Sequence, residues 1–458
     1  MRSASAAILV ALAATGAQGQ QLAKLTADDS AGIDWFGSSV SLSGDTAVVG
    51  AYQDDDAGAY SGSAYVFREV AGVWQQIAKL TANDTAAGDH FGWSVSIDGD
   101  TAVVGARWDD EAGSNSGSAY VFREIDGVWR QIAKLTADDA EDDDEFGYCV
   151  SIDADTAVVG ADRNDDTGSD SGSAYVFREV AGVWLQIAKL TADDAHPGDL
   201  FGYSVSLDGD TTLVGAYGYG DKNTGAAYVI REVAGVWQQI DKLTADHPAY
   251  FANFGRSVSL SGGTAVVGAN EDNDAGTNGG AAYIFHEVAG LWQQIAQLIA
   301  DDAAEDNGFG RSVSISGGTA VVGAWLDGDA SSPRSGSAYV FREVAGVWKQ
   351  IAKLTADDAA AEDYFGYSVS LSGDTALAGA YGDDDPLPAY GSAYVFRVGS
   401  PCPADLAEPY GVLDIDDALA FLTAFADEDP AADLAVPLGV FDFSDALAFL
   451  LAFTAGCP

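Results

Sequence analysis

Seven times the chain returns to the same short phrase. "KLTA" or a close variant begins at Lys24, Lys79, Lys134, Lys189, Lys242, Gln297 and Lys353, at spacings of 55, 55, 55, 53, 55 and 56 residues. "FG" follows each time, at Phe36, Phe91, Phe146, Phe201, Phe254, Phe309 and Phe365. A "VVGA"-like segment then ends at Ala51, Ala106, Ala161, Ala216, Ala269, Ala324 and Ala380. A fixed period of this length overrides any domain count taken from chain length, because each copy is one supersecondary unit that buries its apolar face only against its neighbours.

One unit divides into four strand-like runs. "SVSLS" alternates polar and apolar residues and meets a tight turn at Ser43-Gly44-Asp45, a hairpin signal. "TAVVGA" is a short apolar run suited to a buried strand. "GSAYVFREV" is rich in β-branched and aromatic residues, and the Ala71-Gly72 turn leads from it into "VWQQIAKLTA". No helical period competes. Four antiparallel strands per unit, seven times over, predict an all-β, seven-bladed β-propeller. The seventh copy stops after "GSAYVFRVGS" without its fourth strand, whereas "QQLAKLTA" at residues 20–27 matches "QQIAKLTA" at 75–82. The N-terminal strand is therefore expected to complete blade seven and close the ring.

Residues 1–19 read as a secretory signal peptide: Arg2, the apolar run from Ile8 to Ala14, and small residues at Ala17 and Gly19 before the cleavage point. The run is too short for a spanning helix, so the mature chain is expected to be secreted, extracellular or at the cell surface, with no membrane span. A formal charge of -49 argues against nucleic acid as a partner. The acid is not evenly spread. In an up-and-down blade the loops joining strands two and three share a face with those joining strand four to the next blade, and together these hold 43 acidic residues against Arg107, Arg163, Lys222 and Arg334. Tyr217, Tyr219, Tyr250 and Phe251 interrupt this acidic rim in the fourth and fifth repeats and are candidate stacking platforms for sugars. Calcium is the natural counter-ion for clustered carboxylates and the one cofactor the sequence suggests, but no propeller loop has the alternating D-x-D-x-D-G spacing of a dedicated site, so solvated acid is the favoured reading there.

"FG" followed 14 residues later by "GA" in seven copies resembles the FG-GAP repeats of integrin alpha-chain heads and bacterial surface proteins, over residues 20–400. The Pro that follows "GA" in the integrin type is here Tyr52, Arg107, Asp162, Tyr217, Asn270, Trp325 or Tyr381, and the hairpin that holds calcium there is a short turn, so the integrin metal sites are not carried over.

Residues 401–458 carry a twofold repeat displaced by 28 residues, each half an acidic loop followed by an apolar helical pattern. This tail is similar to the planctomycete GC-type dockerin, which implies a small α-helical module that attaches the chain to a cohesin-like partner or the cell surface. The same resemblance places calcium on Asp405, Asp414 and Asp417 in one loop and Asp433, Asp442 and Asp445 in the other, although Ala407, Pro409, Ala435 and Pro437 stand where further ligands would be expected. Cys402 and Cys457 bracket the module, and an oxidising compartment favours their pairing as a disulfide.

A single catalytic site in a near-identical repeat should show as residues that break the pattern. Cys149, in the slot of six serines, reads as a small buried side chain, and His90, His196 and His247 have no second histidine at metal spacing. The expectation is a monomeric, noncatalytic binding or adhesion protein for an extracellular protein or glycan, with a propeller-based polysaccharide hydrolase or lyase as the alternative.

Overall fold

The computed structural model describes residues 19–398 apart from 30–31, 329–330, 345 and 385–389. The tail residues Cys402, Asp405, Asp414, Asp417, Asp433, Asp442, Asp445 and Cys457, and with them the expected helical module, metal ligands and disulfide, lie outside the described residues, as do residues 1–18 of the expected signal peptide. The described chain is seven four-stranded antiparallel sheets, and six of them run in plain sequence order. Blade one comprises Ser39–Ser43, Thr46–Ala51, Ser63–Val70 and Val73–Leu80, from the axis outward. No α-helix occurs among the described residues; a single π-helical turn spans Tyr219–Asn223. No helix there is long and apolar enough to cross a membrane.

The seventh sheet is built from both ends of the propeller. Gln20–Leu25 pairs antiparallel with Ser392–Arg397, in the register Lys24 opposite Tyr394 and Leu25 opposite Ala393. This repeats Lys79 opposite Tyr65 and Leu80 opposite Ala64, and even the bulge is reproduced: Leu22 is skipped in blade seven as Ile77 is in blade one. Gln21 Oε1 accepts from the Asp357 amide at 3.0 Å, as Gln76 Oε1 does from Asp28. Ring closure thus uses the same contacts as every other blade.

The core lies between blades rather than within them. Phe36, Val40 and Leu42 of blade one pack with Leu377, Ala393 and Val395 of blade seven, and six equivalent clusters fill the other interfaces. The Phe of each "FG" is fully buried and meets the Tyr of "AYVF", and in every blade but the fourth, where Ile230 replaces it, the Phe as well; Phe36 lies edge-on to Tyr65 at 5.6 Å and to Phe67 at 5.9 Å.

The polar side of "SVSLS" has a different use from the solvent-facing one its alternation suggests. The inner strand is an edge strand, and the neighbouring blade's serines satisfy its free backbone groups. Ser39 Oγ donates to the Gly92 carbonyl at 2.9 Å, and Ser41 Oγ accepts from the Ile97 amide at 3.1 Å. The same pair of bonds recurs at every junction, closing with Ser368 to Gly37 at 2.8 Å and the Leu42 amide to Ser370 at 3.0 Å. Cys149 fills a serine slot and its thiol donates to the Gly202 carbonyl at 2.9 Å.

If the N-terminal strand closes the ring, Leu25→Ala should destabilise the propeller about as much as Leu80→Ala, by roughly 2–5 kcal/mol, since both side chains are 2% exposed. Leu22→Ala, at 37% exposed, should cost little. Denaturant melts of the three variants check this, and a silent Leu25→Ala would mean that the strand is not part of the ring.

Candidate functional site

The loops that carry the acid do lie together: the Tyr60 carbonyl accepts from the His90 amide, and Ser61 from Phe91, so each strand two-to-three loop is bonded to the loop entering the next blade. Part of the acid is paired from below. The Lys of "KLTA" reaches up from the outer strand, and Lys79 Nζ lies 2.8 Å from Asp29, 3.0 Å from Asp54 and 2.5 Å from Asp56. Asp54 is buried and also accepts from Tyr65 Oη at 2.7 Å. Lys134 clasps Asp84, Asp109 and Glu111 in the same way, and Lys24 clasps Asp358 and Asp383.

Burial opposes the Lys79 and Lys134 charges, but the hydrogen bonds from their carboxylates outweigh it and raise both ammonium groups above their ordinary value. Burial likewise pushes Asp109 and Asp327 up, yet bonds to Tyr120 and Lys353 respectively, with the lysine charges, leave both below the usual carboxylate range. Blade five is the exception. Gln297 stands in the lysine slot and donates to Asp274 at 2.8 Å, and Asp272, buried beside it, is raised by its desolvation. Among the described residues no group of three or more His, Cys, Asp or Glu side chains is arranged to hold a metal ion. In the loops with a clasp lysine an ammonium sits among the carboxylates where a cation would have to go, so those acids do not fit calcium.

The most unequal positions of the seven repeats meet on the axis. Immediately after "FG" stand Ser38, Trp93, Tyr148, Tyr203, Arg256, Arg311 and Tyr367, at the acid-face end of the inner strands. They line, with a ring of serines and Cys149 below them and a ring of valines below that, an open axial cavity of about 230 Å³. The residues after "GA" crowd round its mouth. A belt of rings runs about the axis: Tyr217 to Tyr203 at 4.4 Å, Tyr203 to Tyr148 at 4.8 Å, Tyr148 to Trp93 at 5.6 Å and Trp93 to Tyr52 at 4.6 Å. It continues through Trp35 to Tyr381 at 5.4 Å, Tyr367 at 4.6 Å and Trp325 at 5.7 Å. Blade five contributes no ring. Arg256, 5.4 Å from both Tyr203 and Tyr217, and Arg311, 4.2 Å from Tyr367, close the belt there.

Polar atoms are stranded around this mouth. His90 Nδ1, Arg107 Nε, Asp162 Oδ1, Arg256 Nε, Asn270 Oδ1 and Trp325 Nε1 are buried with no hydrogen-bond partner. Asp162 is 3% exposed, and burial together with the Glu145 charge pushes its carboxyl up to about 8. Burial and the neighbouring Arg107 cation lower His90 to about 4, so its ring is neutral at neutral pH. Glu145 pairs with Arg107 at 3.2 Å and Arg163 at 3.3 Å.

The four aromatic platforms expected from the sequence separate. Tyr217 is half-buried in the axial belt. Tyr219 is half-buried in blade four, where Lys242 Nζ lies 3.2 Å from its ring centre. Tyr250 and Phe251 are exposed, with Lys222 Nζ 4.0 Å above Tyr250. The rest of the belt was missed. Its signal was present as the residues flanking "FG" and following "GA", but 55-residue separations conceal a cluster that only ring closure assembles.

Frame and site together define a class: a ring-closed propeller of repeated blades that presents one variable surface on its axis. The chain belongs to the FG-GAP repeat family, whose repeat matches residues 20–67, 74–122, 129–177, 184–230, 237–285, 292–341 and 348–396. No curated protein matches it.

Asp162 sets a pH dependence. Its folded value near 8 lies above the ordinary 3.8, so between these pH values the folded state holds a proton that the unfolded state releases, and stability falls as pH rises through the interval. Asp162→Asn should therefore leave the melting midpoint nearly unchanged below about pH 4 and raise it by several degrees above pH 8. An offset equal at both ends would show that the carboxyl titrates normally.

Proposed function

We propose that this is a noncatalytic binding and adhesion protein, secreted or held at the cell surface, whose propeller takes an extracellular protein or glycan through its loop face and whose tail attaches it to a surface or partner module. The observation that carries this reading is the concentration of sequence variation at the axis. Blades that otherwise repeat their bonds differ where the belt and cavity stand, and a rigid frame with one variable concave surface is what a binding function requires. The outer acid supports it less, because lysines hold part of it in structural clasps. Calcium belongs in this reading to the tail carboxylates.

Two measurements test the proposal. A screen of the full chain against glycans and surface proteins should yield a ligand whose affinity falls about tenfold or more in Tyr203→Ala, as expected for an aromatic anchor in a pocket, and is unchanged in Asp56→Asn. Turnover of a bound polysaccharide would replace adhesion with the hydrolase or lyase alternative. Calcium held at the tail should stabilise it over chelator by about 2.7 kcal/mol at a hundredfold excess over its dissociation constant, read as a rise in a melting midpoint of the full chain. That gain should disappear in Asp414→Ala with Asp442→Ala; no shift in the parent would remove calcium from the account.

A further inference from the structure

The axial cavity contains a contradiction in charge. In a chain with 70 acidic side chains against 21 basic ones, most described cations have a carboxylate within 4 Å; among those without one, Arg130, Lys222 and Lys349 are exposed to solvent, whereas Arg256 and Arg311 are half-buried. Both line the cavity, on adjacent blades five and six, at the one place where the belt of rings is interrupted. Burial disfavours the Arg311 charge, and the tyrosines around it, Tyr367 foremost, keep it cationic. Guanidinium groups that are partly desolvated and lack an anion form a fork suited to a carboxylate.

Resting on the binding reading above, we infer that this cavity takes a single carboxylate-bearing pyranose, an acidic hexose unit free or at the end of a glycan. Three features select it. Arg256 and Arg311 take the carboxylate. Tyr148, Tyr203, Tyr367 and Trp93 offer ring faces against which the C–H faces of a sugar stack. The lining groups are of both kinds, guanidinium donors at Arg256 and Arg311, with Arg256 Nε buried and unpartnered, and hydroxyls at Tyr148, Tyr203 and Tyr367 that also accept. A simple anion would satisfy only the donors, whereas sugar hydroxyls both donate and accept. Asp162 lies close enough to act on the cavity-lining Tyr148 and Cys149, which ties the rim to the cavity. The volume of about 230 Å³ falls below that of pockets built for drug-sized molecules, so it suits one ring and not an oligomer laid flat.

The test titrates the full chain with sodium glucuronate, with an oligouronide, with glucose and with sodium acetate, read by calorimetry and by the fluorescence of the belt tryptophans. Saturable glucuronate binding is expected, with glucose and acetate at least about tenfold weaker, the loss of one charged anchor or of the ring contacts. A tighter oligouronide than monosaccharide identifies a glycan end as the source, and equal affinities identify the free sugar. Arg256→Gln should weaken glucuronate about tenfold or more with the melting midpoint preserved, and Arg256→Lys should recover only part of it. Arg311→Gln is the second variant should Arg256→Gln fail to fold.

No glucuronate or oligouronide signal up to about 10 mM, glucose or acetate binding as tightly as glucuronate, or indifference to both arginine variants would each overturn the inference. If a neutral glycan or a protein nevertheless binds and is lost in Tyr203→Ala, the binding reading stands and only the acidic-sugar assignment falls. If nothing binds, both fall.

Discussion

The structure depends on one close contact, repeated seven times, between the inner edges of neighbouring blades. The Gly of "GA" in one blade faces the Gly of "FG" in the next: a Cβ on Gly50 would collide with the Gly92 carbonyl, and one on Gly379 with that of Gly37. Gly37 has a φ of +87°, and a Cβ there would also strike the Ser392 carbonyl. Two residues without side chains let two edge strands approach until a serine hydroxyl spans the gap. Edge strands ordinarily present unpaired amides and carbonyls, a template for aggregation. Here the Ser39 and Ser41 positions satisfy them seven times over, so the inner rim of the ring is stitched rather than exposed. The "FG" and "GA" signatures are thus packing requirements and not ligand motifs.

That constraint separates what can vary from what cannot. The Phe of "FG" fills an interblade core and its Gly touches the next backbone, so both are fixed. The residues directly before and after "FG", and the one after "GA", project at the acid-face end of the axis, where they pack chiefly on one another rather than in an interblade core. They have diverged into tryptophan, tyrosine, arginine, histidine, asparagine and acid. The aromatic belt and the cavity it surrounds result from seven independent choices placed side by side. Blade five shows the freedom most clearly: it supplies Arg256 and Asn270, no ring at either position, where blade four supplies two rings and blade six one, and in its outer strand Gln297 replaces the clasp lysine.

Charge on the loop face follows a parallel division. Asp54, Asp109, Asp327 and Asp383 are structural, held between a tyrosine hydroxyl and a lysine ammonium. On the other face Arg68 takes Glu124 of the next blade with both nitrogens, at 3.0 Å and 2.7 Å, and the pairing recurs from Arg123 to Glu179, Arg178 to Glu232 and Arg231 to Glu287. His286 ends this run, since its ring bonds Thr264 instead. The pairs are half-buried and bidentate, a geometry that fixes the alignment of neighbouring blades.

The sequence by itself determined the blade, the count of seven, the strand that closes the ring and the face on which acid gathers. All of these follow from periodicity and from the alternation of loops, which are local or strictly repeated properties of the chain. It did not reveal the lysine clasps, because "KLTA" lies on a strand some 50 residues from Asp29, nor the axial belt, because Trp35, Trp93, Tyr203 and Arg311 stand in four different repeats. Only the tertiary structure decided that these meet. Closure of a ring converts equal positions in sequence into neighbours about one axis, and contacts between non-identical residues at those positions exist only after every blade is in place.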